Sequence, residues 1–331
     1  MIEAKARPPL VVLGCGSWGT ALALYGASRF ERVTLWGPFS EEIDALTRDR
    51  ENKKYIPGVV IPQNIHCTTS LEEAFKENCI VLVSVPSHVF IKTIQAIAPF
   101  VSQFKALIIA TKGVTEEGLF LHERTKALLT GVPIAMLSGP SFAKEVAQKM
   151  PTAITLASMD TAMLEELHTI LHSPSFRVFP SDDLYGVAIG GVVKNVIAIA
   201  VGMSDGVGFG ANARAALITQ GLQEMSVLNR AVGGKEETIV SLAALGDMVL
   251  TTTDNQSRNR RFGIALGLGQ SVDLAEEEIG QVVEGKRNVK ELLLLAARYQ
   301  VDLPIAKQVY QVVYEGKSAK QAMLDILNLP V

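Results

Sequence analysis

Through the first half of the chain, short apolar runs rich in β-branched residues alternate with helical patterns. Residues 10–13, 32–36, 80–85, 106–111, 134–137 and 153–156 read as strands, and 177–179 is a short last candidate. A helix is expected from about Trp18 to Arg29. Runs that are apolar on both faces belong to a parallel sheet covered by helices on each side. Their alternation with helices makes the fold α/β and doubly wound. The character changes near Ser181. After Asp182 no convincing strand is read, and helices are expected over 184–203, 213–231, 238–245, 260–266, 286–298, 304–315 and 319–327. Gly and Asn/Asp clusters at 204–212 and 254–259 separate some of them. The expectation is a doubly wound α/β N-terminal domain over residues 1–181 and a second, all-α C-terminal domain over 182–331.

Composition narrows the class. A chain of 331 residues exceeds one ordinary core, and 48% hydrophobic against 20% charged residues leaves ample apolar surface to bury. The formal net charge of −3 gives no basic excess, so a nucleic-acid partner is not expected. Cys15, Cys67 and Cys79 form no CxxC pair and no disulfide framework, which fits a reducing compartment. The stretch Met1 to Pro9 carries charge early and lacks a leading apolar region, so a signal peptide is not expected. The apolar run 187–203 contains Lys194 and Asn195 near its middle and is short for a membrane span. It reads as a buried helix of a soluble protein.

Gly14-Cys15-Gly16-Ser17-Trp18-Gly19 is a GxGxxG that follows an apolar strand, opens a helix and precedes a second strand. In that context it reads as a dinucleotide-binding turn of Rossmann type. Gly14 permits the tight turn, Gly16 lets the backbone approach a pyrophosphate, and Gly19 lets helix and strand pack closely. The helix start offers free N–H groups to the phosphates. A carboxylate at the end of the second strand would bind a ribose 2′-hydroxyl, and an Arg would favour a 2′-phosphate. Leu35-Trp36-Gly37-Pro38-Phe39 supplies neither, so the motif leaves NAD against NADP open. Ser84-Val85-Pro86 reads either as a wall against the dinucleotide or as a proline starting a helix.

Oxidising a secondary alcohol by hydride transfer requires a base, donors for the carbonyl oxygen and an anchor for the rest of the substrate. Lys194 is the candidate base. An ammonium in an apolar helix must lose basicity or find a partner, and a lowered pKa suits proton transfer near neutrality. The alternative is a lysine that snorkels outward. Gly190 and Gly191 would let a backbone or a ligand come close. Asp247, flanked by apolar residues, either orients Lys194 or caps a helix. Arg258 offers a planar fork suited to phosphate, with Asn259 as a neutral donor, unless the segment is a solvated loop. Lys112 closes a buried strand and could reach substrate oxygens. Gly139-Pro140-Ser141-Phe142-Ala143 could add backbone and hydroxyl contacts. Glu284 is ambiguous by itself. His168 and His172 stand i, i+4, but without a third ligand or an HExxH signature they read as surface residues, and no metal is expected.

Taken together, GCGSWGTALA at the start, TKG at Lys112, SGPSFAKEV at Gly139, GGVVKN at Lys194, LGD at Asp247, SRNRRFG at Arg258 and VVEG at Glu284 resemble the bacterial NAD(P)-dependent glycerol-3-phosphate dehydrogenases, over roughly residues 10–313. The resemblance implies that Lys194 is the proton acceptor. It implies substrate contacts from Lys112, Gly139, Ser141, Asp247, Ser257, Arg258 and Asn259. It implies cofactor contacts from Ser17, Trp18, Lys112, Ala143, Arg258, Val282 and Glu284. It also implies a cytoplasmic enzyme that supplies phospholipid synthesis. Members of the family usually carry a basic residue just after the second strand, where this chain has Gly37-Pro38. Two rival readings share the fold: a dehydrogenase of a 3-hydroxy acid or ketopantoate, and an inactive dinucleotide sensor. The apolar C-terminal helices leave room for a homodimer.

Overall fold

The computed structural model describes residues 7–328, so most of the N-terminal stretch read for a signal peptide and the last three positions lie outside it. The chain forms two compact units. The first takes the described residues up to Thr111, then Leu121–Leu137 and Ser141–Leu184. The second takes Lys112–Phe120, Ser138–Pro140 and the described residues from Tyr185 onward.

The first unit is built on a sheet made of β1 (Leu10–Leu13), β2 (Val33–Trp36), β5 (Ile65–Thr68), β6 (Cys79–Val83), β7 (Phe104–Ile109), β8 (Ile134–Ser138), β9 (Thr152–Ala157) and β10 (Phe176–Ser181). A separate antiparallel hairpin is formed by β3 (Glu51–Asn52) and β4 (Ile56–Val60). The sheet order is β10-β9-β8-β7-β6-β1-β2-β5. Pairing is parallel from β5 through β2, β1, β6 and β7 to β8, and again between β9 and β10. The chain thus begins mid-sheet, and the winding reverses between β1 and β6. In open α/β sheets ligands bind at the carboxyl ends of such a pair. Every residue of β1 and β6 is buried, which explains why these strands show no period-two pattern.

The differences from the sequence reading are physical. β5 has a sheet neighbour on one side only and exposes His66, so it lacks the apolar run that marks the central strands. β4 contains Pro57 and Gly58 and is largely exposed. β10 runs over six residues, longer than the three read, because it alternates buried and exposed positions at the opposite edge.

From Tyr185 onward the described residues are helical and contain no strand. The helix Leu184–Val207 is long and apolar enough to cross a membrane, but 94% of its most apolar window is buried inside the protein. It runs into the cluster at 204–212, and the next helix, Gly210–Ala231, begins inside that cluster. The expected helix 238–245 is three pieces: Glu236–Ile239, a π-helical turn Leu242–Gly246, and Asp247–Thr253. Ser241 makes the break, its hydroxyl accepting from the Ala243 N–H. The helix Val272–Ile279 was not expected. Its signals are Ser271, which accepts from the Leu274 N–H, and Gly280 in the left-handed region at φ 64°.

Leu184–Val207 crosses Arg258–Gly267 backbone to backbone. A Cβ on Gly202 would lie 2.2 Å from the Arg260 carbonyl oxygen, and one on Gly263 would lie 2.1 Å from that of Ile199. Gly206 and Gly267 repeat the pattern one turn on, at 2.3 Å from Ile264 O and 2.4 Å from Met203 O. Because backbone yields poorly, Gly263→Ala is expected to destabilise the protein by about 1–3 kcal/mol. Chemical denaturation checks this. An unchanged midpoint and slope would mean that the two helices do not touch through their glycines.

Candidate active site

The site builds outward from Lys194. Gly190 stands one turn before it, and there a Cβ would lie 2.3 Å from the Ala243 carbonyl oxygen. The π-helical turn therefore lies directly on the helix that carries the lysine, and it delivers Asp247 as the first residue of the next helix. Lys194 Nζ donates to Asp247 Oδ1 at 2.9 Å and to Thr251 Oγ1 at 2.8 Å. The Thr251 hydroxyl in turn donates to the Asp247 carbonyl, which aims its lone pair at the amine. Lys112 Nζ donates to the other carboxylate oxygen, Asp247 Oδ2, at 2.7 Å. Lys194 and Asp247 are buried, so the lysine does not snorkel. The Asp247 carboxylate is bonded to the side chains of Lys194, Lys112 and Thr251 rather than to N–H groups of the helix start.

The electrostatics follow from two amines sharing one carboxylate. Burial pushes the Lys194 pKa down to about 8. The Asp247 charge works against that fall, and the Lys112 charge adds to it. Burial alone would raise the Asp247 carboxyl, but the charges and hydrogen bonds of Lys112 and Lys194 outweigh it and hold the carboxyl below its ordinary range. Two of the three N–H directions of Lys194 are taken, and the third is uncommitted. Ser138 lies beside this centre: its Oγ is 3.6 Å from where a Gly191 Cβ would stand, it is buried, and it has no partner among the described residues. Lys112 Cβ is 3.8 Å from the same point. Gly191 therefore leaves space bordered by Lys112 and Ser138.

Lys194 is followed by a chain of buried amides that the sequence reading did not find. Asn259 Nδ2 donates to Asn195 Oδ1 and Asn195 Nδ2 to Asn288 Oδ1, both at 2.9 Å. Asn288 Nδ2 then donates to Glu291 Oε2 at 3.1 Å. Asn259 Oδ1 accepts from the Gly285 N–H at 2.9 Å. The chain ties together the three helices that carry Lys194, Arg258 and Glu284. It also limits what Asn259 can offer as a neutral donor. One of its amide hydrogens and its oxygen are committed, leaving the second hydrogen and the backbone N–H at the helix start, where no intrahelical carbonyl reaches. Burial pushes the Glu291 carboxyl up to about 7, with the Asn288 hydrogen bond working against the rise.

The remaining predicted residues sort as follows. Ser257 caps the helix Arg258–Gly267, its hydroxyl accepting from the Arg260 N–H. Arg258, half-buried, uses one of its five donors on the Val282 carbonyl at 2.9 Å. Glu284 opens the helix Glu284–Arg298 and raises the Lys194 pKa slightly by its charge. Gly139 closes β8 at φ 146°, a conformation that favours glycine. In the first unit, Gly14 takes φ 108°, and its Cβ would meet the Ser84 carbonyl oxygen at 2.5 Å. A Cβ on Gly19 would lie 1.9 Å from the Gly14 carbonyl oxygen. Gly16 differs: nothing stands within 4 Å of its missing Cβ, so its backbone is open to a ligand. Ser17 and Trp18 begin the helix Ser17–Gly26, and the buried Trp18 Nε1 has no partner among the described residues. Ser141 and Ala143 lie at the start of the short helix Ala143–Ala147. Pro86 immediately precedes the helix Ser87–Ile97. His168 and His172 are half-buried rather than on the surface, and both rings face the Val178 carbonyl.

A buried amine of lowered pKa, held by a carboxylate and a hydroxyl, is equipment for moving a proton. With the glycine turn of the first unit it places the chain in the class of dinucleotide-dependent oxidoreductases. Two family models match, the NAD-dependent glycerol-3-phosphate dehydrogenase N-terminus over residues 9–164 and its C-terminus over residues 183–324. The chain belongs to that family. It is 51% identical over 321 residues to a Photobacterium profundum protein named glycerol-3-phosphate dehydrogenase [NAD(P)+], covering 96% of this chain and 95% of that one. An Escherichia coli protein of the same name is 50% identical over 322 residues, with 96% and 95% covered. The crystal structure of glycerol-3-phosphate dehydrogenase from Coxiella burnetii superposes with a TM-score of 0.96 at 41% identity, covering 98% of this chain and all of that one.

The amide chain carries a prediction of its own. Asn195→Ala leaves a buried N–H of Asn259 and the oxygen of Asn288 without partners, and is expected to cost about 2–4 kcal/mol. Urea unfolding of the purified variant measures this, and a loss below the error of the titration would show the amides to be independently solvated.

Proposed function

We propose that this protein interconverts glycerol 3-phosphate and dihydroxyacetone phosphate with a nicotinamide dinucleotide, with Lys194 as the general acid and base. The observation that carries the reading is the lowered basicity of a buried lysine fixed between Asp247 and Thr251. The names of the relatives and the family membership support the substrate pair. The glycine turn of the first unit fits a dinucleotide, because Gly16 leaves its backbone uncovered at a helix start. Ser17, Trp18, Ala143, Val282 and Glu284 are proposed to complete that contact. When bound, the nicotinamide supplies the hydride chemistry at C2 of the substrate.

The chain's own residues handle the proton and the charge. In the oxidative direction neutral Lys194 takes the C2 hydroxyl proton on Nζ. In the reductive direction the protonated amine gives it to the ketone oxygen. Asp247 fixes the amine and balances its charge while Lys112 remains on the opposite carboxylate oxygen. Lys112, Gly139, Ser141 and Ser257 are proposed to contact the substrate. Arg258, with four uncommitted donors, and the free N–H groups of Asn259 are proposed to take the phosphate. A carboxylate substrate, as in the hydroxy-acid rival, does not need that phosphate anchor. An inactive sensor needs no tuned amine. The resemblance adds a cytoplasmic setting and a supply of glycerol 3-phosphate for phospholipid synthesis, and the apolar C-terminal helices leave room for a homodimer.

Turnover is read from the absorbance of reduced nicotinamide with dihydroxyacetone phosphate, using NADH and NADPH in parallel. Lys194→Ala is expected to lower kcat by about 10²–10⁴-fold while dinucleotide binding stays near wild type. Turnover close to wild type in that variant rejects Lys194 as the acid and base.

The pH dependence has a definite sign. Because the amine ionises near 8, glycerol 3-phosphate oxidation should rise with pH up to about 8 and then level off, as the neutral form accumulates. Ketone reduction should fall over the same range. Profiles of kcat/KM in both directions test this, and two profiles of the same sign would overturn it.

A further inference from the structure

We infer that this chain discriminates between the two nicotinamide dinucleotides at Glu42, and that it takes NAD(H) in preference to NADP(H). The inference rests on reading the glycine turn as the dinucleotide site. In such folds the adenosine ribose is met about 20 residues after the first glycine, where the second strand ends. Here β2 ends at Trp36, and Gly37 sits hard against the turn, since a Cβ there would lie 2.5 Å from Cys15 Sγ. The helix Ser40–Asp49 follows, and Glu42 in its first turn accepts from that same Cys15 Sγ at 3.7 Å. Buried Asn52 holds the other side, donating to the Cys15 carbonyl at 2.9 Å and to Thr20 Oγ1 at 2.7 Å. A cavity opens between these segments, lined by Cys15 of the glycine turn, by Glu41, Glu42, Asp49 and Glu51, and by Lys53 and Lys54.

Charge decides what such a cavity accepts. A 2′-phosphate brings about two negative charges near neutral pH. The lining offers four carboxylates against two amines, and both amines are already paired: Lys53 with Asp49 and Lys54 with Glu42, each at 2.9 Å. Arg48 also sits on Asp49, and the Arg50 guanidinium is bonded to the carbonyls of Ile61, Pro62 and Ile65. The two positions that follow β2 offer no free backbone donor. Pro38 has no N–H, and the Gly37 N–H is bonded to the Thr68 carbonyl at 3.2 Å. The positive start of the helix is countered by Glu41 and Glu42 in its first turn. A ribose 2′-hydroxyl has the opposite needs. It is neutral and can donate to Glu42, whose carboxylate has lone pairs beyond those used by Cys15 and Lys54. The carboxylate missing from the end of β2 is thus supplied from the helix behind it.

The test is direct binding, by calorimetric titration of the purified full chain with NADH and NADPH. Wild type is expected to bind NADPH at least about tenfold more weakly than NADH. Glu42→Gln should narrow that ratio by removing the charge and releasing Lys54. Pro38→Arg, at an exposed position, should narrow it further by adding a fork for phosphate. Equal affinities in wild type would overturn the inference. So would Lys54→Ala weakening NADPH alone, because Lys54 would then be leaving Glu42 for the phosphate. Failure of either dinucleotide to bind would instead remove the reading of the glycine turn, and this inference with it.

Discussion

One carboxylate shared by two amines sets the chemistry of this protein. Asp247 gives one oxygen to Lys194 and the other to Lys112, inside the helical unit and out of water. Burial is the main cause of the lowered Lys194 pKa, because a low-dielectric surrounding disfavours the charged amine. The Asp247 charge opposes that fall, and the charge of the second amine, Lys112, adds to it. An amine that ionises near neutrality, as the proposed acid and base role requires, thus follows from burial and from the sharing of one carboxylate.

The fold exists to hold that carboxylate still. Asp247 would miss Lys194 if the segment before it were ordinary helix docked at side-chain distance. Gly190 removes the side chain, and the π-helical turn comes within backbone contact one turn away from the lysine. The same device recurs where Gly202, Gly206, Gly263 and Gly267 bring the Arg258 helix against the Lys194 helix. Close backbone approach leaves no room for apolar packing between these helices at the site, and buried amides take over there. The chain from Asn259 through Asn195 and Asn288 to Glu291 satisfies each polar group with the next, which is the condition under which buried polar networks specify a structure. Arg258, Lys194 and Glu284, each adjacent in sequence to a member or partner of that chain, inherit its rigidity.

What the sequence revealed and what it hid follow one rule. Burial on both faces leaves an unbroken apolar run, so β1, β6 and β7 and the long helix of Lys194 were legible. Elements with one wet side blur into their surroundings, and β5, the β3–β4 hairpin and the helix Val272–Ile279 were missed or unread. Among site residues, a charge stranded in apolar sequence stands out, and Lys194 and Asp247 were found that way. Thr251 and Ser138 were not, because a hydroxyl in a polar or strand-end context looks like any other. Asn195, Asn288 and Glu291 were invisible for another reason. Their meaning lies in pairing across three helices far apart in sequence, and no local pattern encodes it.

Net charge close to zero conceals opposite local fields, and these fields carry the selectivity. On Asp247 the helical unit gathers Lys112 and Lys194, and Arg258 opens the helix that follows. Around Cys15 the first unit gathers Glu41, Glu42, Asp49 and Glu51, and the two amines that line the same cavity, Lys53 and Lys54, are already paired. Both regions would handle a phosphate group, and they would do so in opposite senses. In the first, a dianion finds the uncommitted donors of Arg258. In the second, it must break an ion pair and face the carboxylate left behind, while the pyrophosphate of the cofactor needs only the uncovered backbone of Gly16 and the helix start. Placement of charge, rather than its total, lets one chain welcome phosphate on its substrate and refuse it on the ribose of its cofactor.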